Sequence, residues 1–218
     1  MIKVGIDEAG IGCWAGPLVV VSVALKTDTK LPKNVRDSKR LSAVQRENLI
    51  DDIYDLSEWV IIKVAHSGFI DGSRGIWSVW DMLVEDIINM NKIRECGKIM
   101  VDGTRMISSC KNVNYEAKAD DKYAEVSAAS IVAKYVQTCH MEDIHDQFPD
   151  FGFNKHHGYG TTLHSRMMDE HGLTPAHRLS YKPVADRLYR PAVTYDLAKY
   201  ADKFCSEPTT IVLGGDRL

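Results

Sequence analysis

The first seventeen residues hold the feature that most constrains the fold. Apolar residues alternate along residues 2–6 and predict a buried β-strand that begins almost at the first residue. Asp7 and Glu8 follow directly, residues 9–17 form a glycine-containing turn, and residues 18–25 are a nearly continuous apolar run. Strand, acidic turn and strand together predict a hairpin with two carboxylates near its bend.

These two carboxylates indicate a divalent metal ion, because a carboxylate beside a buried strand is costly to bury without a cationic partner. The alternative is an exposed turn whose charges only keep it solvated, which is the common situation of charged residues. A dinucleotide-binding loop is disfavoured, since Gly10 and Gly12 are followed by Gly16 and the usual glycine spacing fails. Asp7 and Glu8 would also repel a pyrophosphate.

The composition indicates a globular protein of the cytoplasm. The 218 residues suit one large domain, or one domain with an appendage, and 44% hydrophobic residues can form a sizeable core. A formal net charge of −3 leaves nucleic-acid binding to local basic patches. The five cysteines form no Cys-x-x-Cys pair, as expected of reduced intracellular thiols. We expect neither a membrane span nor a signal peptide.

Further acids follow at two other predicted element boundaries. Residues 98–103 predict a strand that ends in Asp102, and open α/β sheets place their chemistry at such strand ends. Asp120 and Asp121 begin a long predicted helix over residues 122–148. One of these two acids suits the positive end of the helix dipole, and the other is free for another task.

Four of these acids come from separate segments and are expected to converge on one end of a sheet: Asp7, Glu8, Asp102 and Asp120. Converging carboxylates repel one another unless divalent cations lie between them, and hard oxygen ligands suit Mg²⁺ or Mn²⁺. Two such ions can activate a water and stabilise the leaving oxygen of a phosphodiester. The residues therefore predict a two-metal phosphodiesterase.

Three other patterns carry weaker signals. Lys39 lies in a basic loop just before a helix that a capping box at Ser42 opens, so the loop suits either a phosphate or a solvated charge run. Seven of the eight histidines lie in residues 140–177, but none has the spacing of zinc ligands. Trp77 and Trp80 share a helical face with aliphatic residues and are predicted to lie in the core.

Taken together, the motifs resemble those of the ribonuclease HII family, the type 2 ribonucleases H. The matching stretches are residues 5–12 (GIDEAGIG), 15–17 (AGP), 37–42 (DSKRLS), 101–103 (VDG), 118–120 (KAD), 128–134 (AASIVAK), 151–153 (FGF), 156–161 (HHGYGT) and 177–180 (HRLS). They occur in the family's order over most of the chain.

The resemblance implies an α/β fold, the ribonuclease H-like fold, with a five-stranded mixed sheet flanked by helices and a C-terminal helical extension. It implies an endonuclease that cleaves the RNA strand of RNA/DNA hybrids and cleaves at single ribonucleotides in duplex DNA, leaving 3′-hydroxyl and 5′-phosphate ends. By position, Asp7, Glu8, Asp102 and Asp120 match the family's catalytic acids, which hold two Mg²⁺ or Mn²⁺ ions.

The resemblance also implies substrate-binding residues. The backbone of the Gly10–Ile11–Gly12 loop approaches the 2′-hydroxyl of the ribonucleotide, Tyr159 packs on the following sugar, and Lys39 contacts a phosphate. This chain departs from the family pattern where Ile11 replaces an arginine, as well as at Cys13, Ala119 and His157. Two of these changes remove cationic side chains, so the phosphate clamp is expected to be weaker.

We predict a catalytic domain over residues 1–184, with its helical part from about residue 149, and a helical tail over residues 185–218 whose end is flexible. A monomer is expected. Two alternatives stay open: another two-metal nuclease or resolvase of the same fold that acts on branched DNA, and a weakly active nucleic-acid-binding relative. The four intact acids argue against the second. Tyr159 argues against the first, because a 2′-hydroxyl sensor has no use on DNA.

Overall fold

The structure is a computed structural model that describes residues 1–32, 35, 42–93, 96–188, 201–204 and 206–214, so Lys39 lies outside the described residues. The strands are β1 (Ile2–Ala9), β2 (Leu18–Lys26), β3 (Ser57–Ala65), β4 (Lys98–Asp102), β5 (Val113–Glu116) and β6 (Thr209–Leu213). The helices are α1 (Ala43–Leu56), α2 (Ser67–Gly72), α3 (Ile76–Ile93), α4 (Ala124–Gln147), α5 (Phe153–His156), α6 (Thr162–His171), α7 (Lys182–Ala185) and α8 (Ala201–Phe204).

The strands form one mixed sheet in the order β5-β4-β1-β2-β3-β6. β1, β2, β3 and β6 pair antiparallel in that order, whereas β4 and β5 add in parallel on the other side of β1. The predicted hairpin of β1 and β2 and the mixed α/β sheet are confirmed. The sheet has six strands rather than the expected five, because β6 joins its edge.

β6 corrects the prediction of a helical tail at residues 209–213. It pairs with β3 from Val60 opposite Leu213 to Val64 opposite Thr209, and all five of its residues are exposed. An exposed edge strand needs no alternation of apolar and polar residues, so its sequence gives little indication that it is a strand. Its backbone hydrogen bonds are made with β3. The described helices of this region are the four-residue α7 and α8.

Apolar layers cover both faces of the sheet. α3 packs on one face with a cluster that includes Leu83 and Ile87, and α1 and α4 pack on the other with Ile53 and Ile131. The capping box that opens α1 is present as predicted, with Ser42 and Gln45 side chains each bonded to the other's backbone N–H. Among the helices in the described part of the chain, none has the length and apolar character needed to cross a bilayer.

The prediction for the tryptophans of α3 holds for only one of them. Trp80 is buried, whereas Trp77 is 49% exposed. Trp77 lies in the first turn of α3, where its ring meets the edge of Trp80 and the guanidinium of Arg105 instead of the sheet. Helical spacing alone therefore assigned Trp77 to the wrong environment.

Gly5 allows α4 to lie directly against β1, two residues before the first acid. A Cβ atom at this position would come within 3.0 Å of backbone atoms of Glu125 and Val126, in the first turn of α4. Backbone atoms cannot move aside as a flexible side chain can. The close approach of helix and strand therefore depends on the absence of a side chain at position 5.

The histidines of the C-terminal part bond to one another and to backbone groups. The N–H of Thr174 donates to Nδ1 of His177 at 2.9 Å, which leaves the proton of His177 on Nε2. That proton faces Nε2 of His164 at 3.1 Å, and Nδ1–H of His164 donates to the carbonyl of Tyr159 at 3.0 Å. Two neutral imidazoles thus connect the backbone at Thr174 to the backbone at Tyr159.

His156 joins His164 and His177 in this arrangement, so three of the seven clustered histidines have structural partners. His156 stacks on His164 with ring centroids 4.2 Å apart and bonds to the backbone of Phe151 and Gly158. Burial lowers the pKa of His164 to about 4, and burial also lowers the pKa of His177 well below its usual value. Both rings stay neutral at physiological pH, as the chain of hydrogen bonds requires.

We expect Gly5→Ala to lower the free energy of unfolding by about 2–3 kcal/mol, because the new methyl group overpacks the contact with α4. Urea unfolding with an unchanged m-value measures this loss. Gly72→Ala is the control, since nothing lies within 4 Å of a Cβ at the end of α2. Equal stability of the two variants would contradict the close-contact argument.

We expect the stability difference between the wild type and His164→Gln to shrink by about 2 kcal/mol as the pH falls from 7 to 5. In the unfolded chain His164 has the ordinary histidine pKa of about 6.5. In the folded chain its pKa is about 4, so between these two pH values the unfolded chain takes up a proton at His164 and the folded chain does not. Stability contributed by the neutral ring is therefore present above pH 6.5 and lost below it.

Denaturant unfolding at pH 7, 6 and 5 measures this difference. Buried carboxylates with raised pKa values act in the opposite direction, but they are common to both proteins and cancel in the comparison. His171→Gln, at the partly exposed end of α6, is the control that removes an imidazole outside this chain of hydrogen bonds. A pH-independent difference for His164→Gln would show that this ring is not held neutral.

Candidate active site

The register of the sheet brings three acids to one level. β1 and β4 run in parallel with Ile6 opposite Val101, so Asp7 and Asp102 are the next residues on adjacent strands. Glu8 follows Asp7 and lies opposite Val20 on β2. The predicted convergence of these acids at the carboxyl ends of two parallel strands therefore has a structural basis.

Asp7 and Glu8 point to opposite faces of the sheet, as alternation along a strand requires. Asp7 is 6% exposed; it accepts from the backbone N–H of Glu8 at 2.8 Å and from the hydroxyl of Ser130 on α4. Glu8 turns to the other layer, where its Oε2 accepts from the indole Nε1–H of Trp80 on α3 at 3.1 Å. The two carboxylates are thus held from both helical layers.

A tight turn before α4 supplies the fourth acid. Lys118 has a left-handed backbone conformation with φ of 58°, and a 3₁₀ turn over Ala119–Asp121 follows it. The N–H of Ala119 donates to Oδ1 of Asp102 at 2.6 Å, which ties this turn to the end of β4. Asp120 is 3% exposed, whereas Asp121 is exposed. The two adjacent acids are therefore distinguished by burial, and the buried one is the predicted site residue.

The four acids lie within one another's electric field. Burial raises the pKa of Asp7 well above its usual value, and the charges of Glu8 and Asp102 raise it further. Burial also raises the pKa of Glu8 to about 7, with the charges of Asp102 and Asp120 acting in the same direction and the Trp80 hydrogen bond opposing them. The ionised forms of Asp7 and Glu8 are therefore disfavoured in the folded chain, and a cation bound beside them would stabilise those forms.

The chemistry of the donor set fits a hard divalent ion, since all four side chains offer carboxylate oxygens. Among the described residues, however, no three His, Cys, Asp or Glu side chains stand close enough to hold an ion in their present orientations. Asp7 and Asp102 instead accept backbone N–H groups at 2.8 and 2.6 Å. The acids therefore interact electrostatically, but in these orientations they do not jointly coordinate an ion.

A groove of about 370 Å³ opens beside Glu8 and brings most of the predicted substrate-binding residues together. Its walls include Gly10, Ile11, Gly12 and Tyr159. Tyr159 is 41% exposed, and burial of its hydroxyl raises the pKa of this side chain to about 12. Glu8, the glycine loop and Tyr159 therefore line one groove.

The glycine loop is held from behind by the C-terminal part. Arg178 is fully buried; its Nε donates to the carbonyl of Gly16 at 3.0 Å and its Nη1 to the carbonyl of Ile11 at 3.2 Å. Trp14 and Gly158 are joined by a backbone hydrogen bond of 2.8 Å. The loop and the segment with Tyr159 are thus one assembly, although they are far apart in sequence.

Three polar residues of the groove wall were not predicted: Arg46, Ser130 and Lys134. Ser130 and Lys134 lie four residues apart in a stretch that matches the family motif, and this spacing puts them on one face of α4. Lys134 places its ammonium 4.8 Å from the centre of the Tyr159 ring and donates to Gln137 at 3.1 Å. Arg46 on α1 has no comparable signal in the sequence.

Comparison with known proteins identifies the family. The model of the family described as "Ribonuclease HII" matches residues 4–184. A ribonuclease HII of Aliarcobacter butzleri is 37% identical over 178 residues, which cover 82% of this chain and 89% of the relative.

Two solved structures share the fold. The ribonuclease HII of Archaeoglobus fulgidus, solved in a complex with PCNA, has a TM-score of 0.72 at 29% identity over 83% of this chain and 95% of its own. Bst-RNase HIII has a TM-score of 0.61 at 18% identity over 86% of this chain and 69% of its own. The chain therefore belongs to the ribonuclease HII family and is an endoribonuclease that acts on RNA/DNA hybrids.

Proposed function

We propose that this endoribonuclease cleaves the RNA strand of hybrids and also cleaves at single ribonucleotides in duplex DNA, leaving 3′-hydroxyl and 5′-phosphate ends. The catalytic residues are Asp7, Glu8, Asp102 and Asp120. The observation that carries the proposal is the mutual electrostatic interaction of these acids beside a groove that contains the glycine loop and Tyr159.

The four acids would hold two Mg²⁺ or Mn²⁺ ions. Support comes from the all-carboxylate donor set and from a structure of the same fold, Bst-RNase HIII, which was solved in complex with Mn²⁺. Two such ions supply an activated water and stabilisation of the leaving oxygen. The protein's own contribution is to hold the carboxylates in place, through Ser130 on Asp7 and the Ala119 N–H on Asp102.

The glycine loop and Tyr159 would recognise the ribonucleotide. Gly12 has an exposed backbone with open space around its Cα, so a sugar hydroxyl can approach the chain there. Tyr159 is held by its backbone through the neutral histidines, which leaves its ring exposed to the groove. A rigid loop with an exposed aromatic ring suits packing against a sugar.

Cations near the groove compensate in part for Ile11 and His157. Lys134 and Arg46 line the groove from α4 and α1, where either can face a phosphate. Arg105 is not such a residue, since its guanidinium pairs with both carboxylate oxygens of Asp81. Lys39 remains a proposed phosphate contact outside the described residues.

We further propose that residues 1–184 act as the catalytic domain of a cytoplasmic monomer, with residues 185–218 as an appendage. Support for the location comes from the cysteines: Cys13 and Cys139 carry free thiols in the described part of the chain. Sedimentation of the purified protein tests the oligomeric state.

Asp102→Asn should lower cleavage of a duplex with one embedded ribonucleotide by about 100-fold or more, a loss typical of removing one electrostatic stabiliser. Asn keeps the size of the side chain, so the fold should persist. A labelled-strand assay in Mg²⁺ or Mn²⁺ measures the effect, with exposed Asp121→Asn as the control. Undiminished cleavage by Asp102→Asn, or by the wild type in excess chelator, would reject the metal-dependent proposal.

Tyr159→Ala should slow cleavage at a single ribonucleotide more than it lowers the melting temperature, because the exposed ring contributes little packing. Tyr159→Phe keeps the ring and should retain most of the activity if sugar packing is the main contribution. Both variants are assayed on the single-ribonucleotide duplex and on a continuous hybrid. A large fall in melting temperature with unchanged relative activity would make Tyr159 a packing residue instead.

A further inference from the structure

The carboxylate of Glu8 has a side-chain partner from a distant element. Trp80 on α3 donates its indole N–H to Oε2 of Glu8 at 3.1 Å across 72 positions of sequence. Indole nitrogen is only a donor, so the direction of this bond is unambiguous. Asp7 and Asp102 also accept N–H groups, but theirs come from the backbone of Glu8 and Ala119. The hydrogen bond that orients the Glu8 carboxylate therefore depends on the side chain at position 80.

Trp80 is itself firmly held. It is 2% exposed and belongs to the apolar cluster between α3 and the sheet. The ring of Trp77 meets it edge-on with centroids 6.2 Å apart, and Arg105 lies over Trp77 at 5.7 Å. An indole enclosed in this way has a fixed direction for its N–H, and so does the carboxylate that accepts it.

We propose that Trp80 is a positioning residue that orients Glu8 for divalent metal binding, an inference that rests on the proposed metal-dependent function. Groups that hydrogen-bond to a metal ligand from outside the coordination shell fix its orientation, and losing one typically costs about 10–100-fold in metal affinity or activity. Trp80 occupies this position relative to Glu8. Because the indole is 2% exposed, it acts through the Glu8 carboxylate.

The competing explanation is that Glu8 merely satisfies a buried indole N–H, which usually finds some partner. Trp59 offers a matched control, because it is also buried and donates its Nε1–H to the side chain of Asn91 at 2.8 Å. Trp→Phe at either position removes one buried hydrogen bond and keeps an aromatic ring. Only the change at Trp80 removes a bond to a predicted metal ligand.

The test is a calorimetric titration of each protein with Mn²⁺ in the absence of nucleic acid. We expect Trp80→Phe to raise the Mn²⁺ dissociation constant about tenfold or more. Trp59→Phe should leave it unchanged while losing similar thermal stability. In cleavage assays, Trp80→Phe should need more Mn²⁺ for half-maximal rate without a change in KM for the duplex. Equal Mn²⁺ affinity of wild type and Trp80→Phe would overturn the inference.

A second measurement needs no substitution at Trp80. In ¹⁵N-labelled wild-type protein, diamagnetic Mg²⁺ should shift the indole N–H resonance of Trp80 and leave that of Trp59 in place. An unshifted Trp80 resonance under saturating Mg²⁺ would overturn the inference even if Trp80→Phe fails to fold. Absence of Mn²⁺ and Mg²⁺ binding by the wild type would instead overturn the proposed function, which separates the two failures.

Discussion

The burial of neighbouring carboxylates at one end of the sheet is the constraint on which the arrangement of this site depends. Asp7 and Asp102 are brought together by the parallel pairing of β1 and β4, and the turn before α4 adds Asp120. Burial and mutual charge raise the pKa of Asp7 and of Glu8, so the folded chain is electrostatically unfavourable at this point without a cation. An enzyme of the ribonuclease HII family thus keeps a destabilised site on an otherwise apolar sheet, as expected where function opposes stability.

The two helical layers make different contacts with these acids. On one face, Gly5 lets the start of α4 reach the backbone of β1, and Ser130 in the same helix bonds to Asp7. On the other face, α3 supplies apolar packing and the single indole N–H that meets Glu8. Alternation along β1 sends neighbouring carboxylates to opposite layers, so both layers are needed to hold the pair.

The substrate side of the groove is built by the C-terminal part. Buried Arg178 donates its Nε to the carbonyl of Gly16 and its Nη1 to the carbonyl of Ile11, which offsets part of the cost of burying its charge. The neutral rings of His164 and His177 hold the backbone of Tyr159 in turn. Polar groups buried in this way specify one conformation of a loop whose own sequence, rich in glycine, would allow many.

Local patterns in the sequence were enough to identify the β1–β2 hairpin, the cap of α1 at Ser42 and the acids at the strand ends, because each depends on residues close together in the chain. The tertiary structure alone decided the pairing of β6 with β3, the exposure of Trp77 and the presence of Arg46 in the groove. The bonds from Trp80 to Glu8 and from Arg178 to Gly16 span 72 and 162 positions. Periodicity and spacing in the sequence do not predict such contacts, because the contacting side chains come together only when the sheet and its two helical layers have assembled.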